Sequence, residues 1–350
     1  MDQTSSASRM RVWCVDEPGP YRTHPLRAES RAVPVPAPGE VLVRVLACGL
    51  CRTDLHLAEG DLPPQAHGIV PGHQVVGEVV GRGEDAKRFA LGERIGIAWL
   101  RETCRQCGYC RSGRENLCER SRYTGWHADG GFAEYCVAPE SYAYRLPETL
   151  SDVQVAPLLC AGIIGFRALR RANLPPGGRL GLYGFGSSAH ITAQIALAQG
   201  AELHVMTRGA ENRALARSLG ASSVGEAISP PPARLDSAIV FAPAGEIVPH
   251  ALRALEPGGT LVLAGIHMSD IPALDYTDCL FGERDLRTVT ANTRQDGEQF
   301  LALAGRLALR LHTTTYDIDS IGRAMGDMAD GRLSGSAVAV FTAVESTRGA

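Results

Sequence analysis

From Met10 to about Pro147 the chain runs as short apolar stretches cut by glycine and proline. Val41-Leu42-Val43-Arg44-Val45-Leu46 and Val75-Val76-Gly77-Glu78-Val79-Val80 are two of them. Brief β-branched runs between turn formers predict strands, here a strand-rich, barrel-like domain. The texture changes near Ser151. Strands are predicted over Arg179–Tyr183 and Leu203–Met206, and helices over Ser188–Gln199 and Arg213–Leu219. Ala238–Phe241 and Thr260–Ala264 predict further strands, and Pro230-Pro231-Pro232 marks a loop. Alternation of this kind builds βαβ units around a parallel sheet. Beyond Asn292 come a helix-like stretch and one apolar run, Ala337–Phe341. The expected organisation is a polar, disordered tail over 1–9, a first domain over 10–155, an alternating domain over 156–291, and a return to the first over 292–350.

The 350-residue length agrees with two domains, at roughly 150 residues each. With 45% hydrophobic and 21% charged residues the chain can bury an ordinary core. The formal net charge is −3 with no basic block, which argues against a nucleic-acid partner. No apolar run marks a signal peptide or a membrane span, so the expected location is the cytoplasm, with no membrane partner. In that setting ten cysteines read as metal ligands before disulfides.

Cys104, Cys107, Cys110 and Cys118 form C-x2-C-x2-C-x7-C. Four thiolates this close can enclose one tetrahedral zinc with no open position, a structural site. Taken alone, the cluster also answers to an iron–sulfur site or a nucleic-acid-binding zinc ribbon. The spacing fits the former poorly, and the neutral composition speaks against the latter. Cys14, Cys48, Cys136 and Cys279 lie on apolar or strand-like runs and read as packing residues.

Gly184-Phe185-Gly186-Ser187-Ser188-Ala189 is G-x-G-x-x-A between a predicted strand and a predicted helix. In that context the glycines allow a tight turn and close approach to a pyrophosphate, which the helix N-terminus binds. An enzyme for NAD usually carries an acidic residue after the second strand. Here Thr207-Arg208 follow it, and a hydroxyl with a guanidinium favours the 2′-phosphate of NADP while still permitting NAD.

Several motifs carry a resemblance. They are Cys51-x-Thr53-Asp54-x-His56, Gly72-His73-x-x-x-Gly77-Glu78, the four-cysteine lobe, Gly130-Gly131-Phe132-Ala133-Glu134-Tyr135, and Cys160 ahead of the glycine fingerprint. In this order and spacing, residues 10 to about 345 resemble the zinc-containing medium-chain alcohol dehydrogenases. The resemblance implies an α/β fold, with a GroES-like barrel catalytic domain and a Rossmann doubly wound parallel-sheet cofactor domain. It implies two zinc ions per subunit, with the catalytic one held by Cys51, His73 and Cys160 in the interdomain cleft, where ligand pockets commonly lie.

It further implies hydride transfer between an alcohol and NAD(P), the metal acting as a Lewis acid on the alcohol oxygen to give an alkoxide. Thr53 takes the alcohol proton and relays it through the cofactor ribose to His56. Asp54 supports His73, Arg52 touches the pyrophosphate, Trp99 walls the substrate pocket, and Gly265 and Ile266 join the cofactor site. The assembly it implies is a homodimer or homotetramer. Two residues depart from the pattern. Gln74 stands where the family usually has Glu beside the metal, and Ser336 stands where relatives often have an Arg aimed at the pyrophosphate. Alternatives are a zinc-independent quinone or enoyl reductase, a polyol or amino-alcohol dehydrogenase, and a non-catalytic nicotinamide-binding zinc protein.

Overall fold

The computed structural model describes residues 8–333 and 335–341. These fall into two compact units, and the chain changes unit after Cys160 and again after His312. Residues 1–7 of the expected tail and 342–350 of the expected return lie outside the described residues. Arg9, counted with that tail, instead opens the first strand, Arg9–Val15, which pairs antiparallel with Leu26–Ala32.

The first unit is built on the strand Glu40–Leu50. Its alternating Val41, Val43 and Val45 point into the core, as period-two patterning requires. This strand pairs antiparallel with Val75–Arg82, with Tyr135–Pro139 and, at its far end, with Ser336–Val340. Thr313–Asp317 extends the sheet on one side, and Arg94–Ile97 and Ala143–Arg145 on the other. Phe132, Ile95 and Phe89 are among the core residues beneath it.

The second unit holds six strands among the described residues, all parallel. Their order is Ser223–Gly225, Glu202–Met206, Arg179–Tyr183, Leu235–Val240, Leu255–Leu263, Asp285–Thr288. The chain steps outward from Arg179–Tyr183 in one direction and then reverses, which is the doubly wound order with its switch point at that strand. Predicted and observed elements agree closely, the helix Ser188–Gln199 appearing as Ser187–Ala198.

The boundaries drawn from sequence at 156 and 292 are corrected. Pro157–Leu159 is buried with the first unit, where Leu159 packs within 2.7 Å of a Cβ position at Gly96. The helix Arg294–Ala304 stays with the second unit because Asp296, itself 2% exposed, binds Arg167 (2.5 Å), and Phe300 lies 5.8 Å from Phe166. The return begins only at Thr313.

Candidate active site and metal centres

Cys51 ends the long strand and caps the helix Arg52–Glu59. Its Sγ accepts from the Thr53 N–H at 3.4 Å, while Asp54 Oδ2 accepts from the Cys51 N–H at 2.9 Å. This is a reciprocal capping box in which a thiol takes the usual place of Ser or Thr. Asp54 Oδ1 also accepts from the Gly72 N–H (3.0 Å) and from His73 Nδ1 (3.1 Å). One buried carboxylate therefore ties the helix start to the His73 segment. Gly72 has φ +96, and a Cβ there would lie 2.6 Å from the Phe132 ring, so only glycine delivers His73 to this place.

With Nδ1 committed to Asp54, His73 turns its Nε2 inward. That atom is buried and has no hydrogen-bond partner among the described residues. The Cys51 and Cys160 sulfurs and the His73 nitrogen lie within 4.8 Å of one another. Two thiolates and an imidazole are a zinc donor set with room for a fourth ligand, so the residues fit the ion and the orphaned Nε2 is explained by it. Within the protein alone, burial opposes charge on His73, yet Asp54 and Cys51 raise its pKa to about 10. The hydrogen bond from Cys160 draws the Cys51 thiol well below its usual range despite burial. The same bond, together with burial, pushes Cys160 up.

Thr53 is buried, with its hydroxyl 3.4 Å from Cys51 Sγ. His56 follows one turn later, with Nδ1 2.9 Å from Asp61 Oδ2. Arg52 opens the helix and is exposed. Gln74 is buried against Gly49, and its Nε2 has no partner among the described residues.

Trp99 meets the His73 ring edge-on at 5.0 Å. It also stacks on Tyr123 at 4.8 Å and lies nearly parallel to Trp126 at 6.0 Å. Tyr123 and Trp126 were not singled out from sequence. The signal available was the aromatic pair in Arg122-Tyr123-Thr124-Gly125-Trp126. Pairing of Leu100–Glu102 with Arg122–Tyr123 brings them to Trp99.

Cys104, Cys107, Cys110 and Cys118 also bring their sulfurs within 4.8 Å of one another. The Gln106 and Cys107 backbone N–H groups point at Cys104 Sγ and hold its pKa down to about 5. Such N–H···S bonds pre-form a thiolate. Cys14, Cys48, Cys136 and Cys279 are all buried, in keeping with packing roles.

In the second unit Gly184 ends the strand Arg179–Tyr183 with φ +86, where a Cβ would lie 2.9 Å from the Ala242 nitrogen. Gly186 then caps the helix Ser187–Ala198 with no side-chain hydrogen bond. Phe185 is buried and Ser188 half-buried beside this turn. A turn of this kind leads N–H groups toward an anion at the sheet's switch point. His190 lies behind the loop, with Nδ1 3.3 Å from the Gly186 carbonyl. Thr207 is buried after the second strand and Arg208 beside it is exposed. Gly265 and Ile266 follow Leu255–Leu263, Ile266 being exposed.

A barrel carrying a Cys/His/Cys set and a doubly wound sheet carrying a glycine turn define a metal-binding dehydrogenase. A model of the alcohol dehydrogenase GroES-like domain matches residues 37–148, and one of the zinc-binding dehydrogenases matches residues 189–306. A probable alcohol dehydrogenase of Mycobacterium tuberculosis is 54% identical over 97% of this chain and 99% of its own. An alcohol dehydrogenase of Geobacillus stearothermophilus is 34% identical over 86% and 91%. Among solved structures, a cinnamyl alcohol dehydrogenase of Sorghum bicolor aligns with TM-score 0.85 and 26% identity, covering 95% of this chain and 98% of its own. The chain belongs to the zinc-binding alcohol dehydrogenases of the medium-chain family.

Proposed function

We propose that this protein reversibly oxidises alcohols to aldehydes or ketones with NADP as its preferred nicotinamide cofactor, using one catalytic and one structural zinc. The observation that carries the reading is the convergence of Cys51, Cys160 and a buried, unpartnered His73 Nε2. Those three residues would hold the catalytic ion, and Cys104, Cys107, Cys110 and Cys118 the structural one. When bound, zinc lowers the pKa of an alcohol hydroxyl, and the nicotinamide accepts hydride.

The chain's own residues do the rest. Asp54 fixes His73 as the Nδ1–H tautomer, so Nε2 remains a ligand. Thr53 Oγ1 takes the hydroxyl proton, since a hydroxyl can accept and donate at once. Asp61 holds His56 at Nδ1, which orients the imidazole that passes the proton on toward solvent. Gln74 keeps the buried surroundings of the ligands free of a further carboxylate. In the second unit Gly184, Phe185, Gly186, Ser187 and Ser188 receive the pyrophosphate, with Gly265 and Ile266 beside the cofactor. The absence of a carboxylate at Thr207-Arg208-Gly209 supports NADP. Among the described residues the strand Asp285–Thr288 pairs on one side only, which supports assembly as a homo-oligomer. The Cys/His/Cys set speaks against a zinc-independent reductase.

The test is cofactor reduction by an alcohol panel, with NAD and NADP in parallel, alongside zinc analysis of the wild type and Cys160→Ala. Turnover in the wild type, with one zinc and all activity lost in Cys160→Ala, is expected. Full activity and zinc content in Cys160→Ala would sink the reading.

A further inference from the structure

We propose that His190 is a positioning residue for the nicotinamide cofactor. Its Nδ1–H holds the Gly186 carbonyl and thereby aims the Ser187 N–H out of the glycine turn toward the pyrophosphate. The inference rests on the reading of that turn as the dinucleotide site, and it adds a side chain that lies outside the fingerprint itself.

His190 sits in the first turn of the helix Ser187–Ala198. Its neighbours on that helix, Ala189, Ile191, Ala193 and Ile195, are buried and apolar. His190 is itself only 1% exposed, and its Nε2 has no hydrogen-bond partner among the described residues. An imidazole that merely filled space here would cost more than an aliphatic side chain, because its polar edge is taken from water. The other edge is engaged. Nδ1 lies 3.3 Å from the Gly186 carbonyl oxygen, and a carbonyl only accepts, so Nδ1 carries the proton. Burial holds the pKa below the ordinary histidine value, against the pull of the Gly186 and Ser187 carbonyls. Ionisation would also leave a second buried N–H, on Nε2, unpaired. The ring is therefore a neutral Nδ1–H donor facing the turn.

The backbone of the turn shows what that donor does. The Gly186 carbonyl accepts from the His190 backbone N–H at 3.1 Å as well as from the ring. Both lone pairs of the oxygen are then used, and two donors from one residue fix its direction where a single bond would let it rock. The Gly186–Ser187 peptide is trans and planar, so its N–H points opposite to its C=O. Holding the carbonyl toward the helix interior holds the Ser187 N–H outward at the helix start, where an anion is received. Glycine makes the close approach possible at the expense of stiffness. His190 returns stiffness to the one peptide whose N–H faces the phosphate, and a donor ordered beforehand loses less freedom when the cofactor binds.

The decisive experiment compares His190→Leu with His190→Asn in the zinc-loaded enzyme. Leu and Asn have nearly the same shape, so the pair leaves the same space and differs in whether an N–H, on Nδ2, can face Gly186. NADPH and NADH are titrated in parallel and followed by nicotinamide fluorescence. In His190→Leu the Kd of the bound cofactor should rise about 3–10-fold, with a matching rise in its KM and with kcat within about twofold of wild type. His190→Asn should bind within about twofold of wild type, although its buried amide makes it the less stable variant in denaturant. Those opposed orders are the signature, because a purely structural histidine would make affinity follow stability. A second readout uses the wild type. With histidine labelled by 15N, the imidazole signal absent from His190→Asn should be neutral, protonated at Nδ1 and shifted by NADPH. A folded His190→Leu that binds cofactor like wild type, a His190→Asn that binds no better than His190→Leu, or an Nε2–H tautomer at His190 overturns the positioning role and leaves the dinucleotide site standing. A wild-type protein that binds neither NADPH nor NADH removes that site and the proposal with it.

Discussion

Replacing Asp54 by Asn separates the helix-capping role of this carboxylate from its hold on the metal ligand. Asp54 is 2% exposed and accepts from Cys51 N–H, Gly72 N–H and His73 Nδ1. In the Asp54→Asn variant, the best orientation of the new amide keeps its carbonyl on Gly72 and His73 and turns its NH2 toward the Cys51 N–H. Two buried donors, the Cys51 N–H and the NH2 facing it, are then unpaired, at a cost of about 1–3 kcal/mol each. The opposite orientation strands three, the Gly72 N–H, the His73 Nδ1–H and the NH2, and is disfavoured. The lost charge also weakens the grip on His73. Outer partners of a liganding histidine are commonly worth about 10–100-fold in metal affinity, or roughly 1.4–2.8 kcal/mol. Two separable effects are therefore expected. The metal-free variant should unfold at lower denaturant, and zinc at the Cys51/His73/Cys160 site should bind about 10–100-fold more weakly in competition with a chromophoric chelator. A folded Asp54→Asn protein with wild-type zinc affinity would show that Asp54 only caps the helix and does not orient His73.

Cys104→Ser should cost one zinc per chain without emptying the other site. Metal analysis should show the loss, and trypsin should cut faster at Arg105, Arg111 and Arg114, which surround the thiolates. Gly184→Val should abolish dinucleotide binding in calorimetry and leave zinc content intact, because its φ is +86 and the added Cβ meets Ala242 N at 2.9 Å. Tyr21 is nearly buried and donates to the Gly322 carbonyl at 2.5 Å. Burial raises its pKa to about 12. A group with a raised folded pKa gives stability that is intact below its unfolded value, near pH ~10, and lost as pH climbs through the folded one. Stability should thus fall between pH ~10 and about 12, and Tyr21→Phe should flatten that slope in denaturation curves recorded across the window.

The central strands of the second unit and two of its helices were legible as apolar runs with a clear period, whereas the helices Ala161–Ala172 and Ile247–Arg253 were not singled out. In the second unit the strands Ser223–Gly225 and Asp285–Thr288 escaped; both are short and lie at the sheet's edges. An edge strand with little burial needs few apolar residues, so it leaves little pattern to read. The helix Arg294–Ala304 was visible as a helix but not as part of the second unit. Its allegiance rests on Asp296 binding Arg167, 129 residues away, and no local signal announces such a pair.

The candidate site divides in the same way. The four-cysteine lobe could be read from its spacing alone, because all its ligands lie on one loop and a short chain can close around an ion. The glycine turn was equally local, since its conformation belongs to the backbone of Gly184 and Gly186. Cys51, His73 and Cys160 are spread over the first unit, and only resemblance joined them before the fold was described. What brings them together is tertiary: Asp54 binds two segments at once, and Gly72 admits Phe132 where a side chain would clash. Trp99 was expected at the substrate pocket only by resemblance, and the aromatic cluster it forms with Tyr123 and Trp126 was not legible. Its rings meet because Leu100–Glu102 pairs with Arg122–Tyr123 and Trp126 reaches Pro63. Sequence by itself therefore determined the elements, the structural metal lobe and the cofactor turn, which depend on neighbours along the chain. Folding decided the donor set's closure and the packing of Trp99 against Tyr123 and Trp126, which depend on contacts between distant segments.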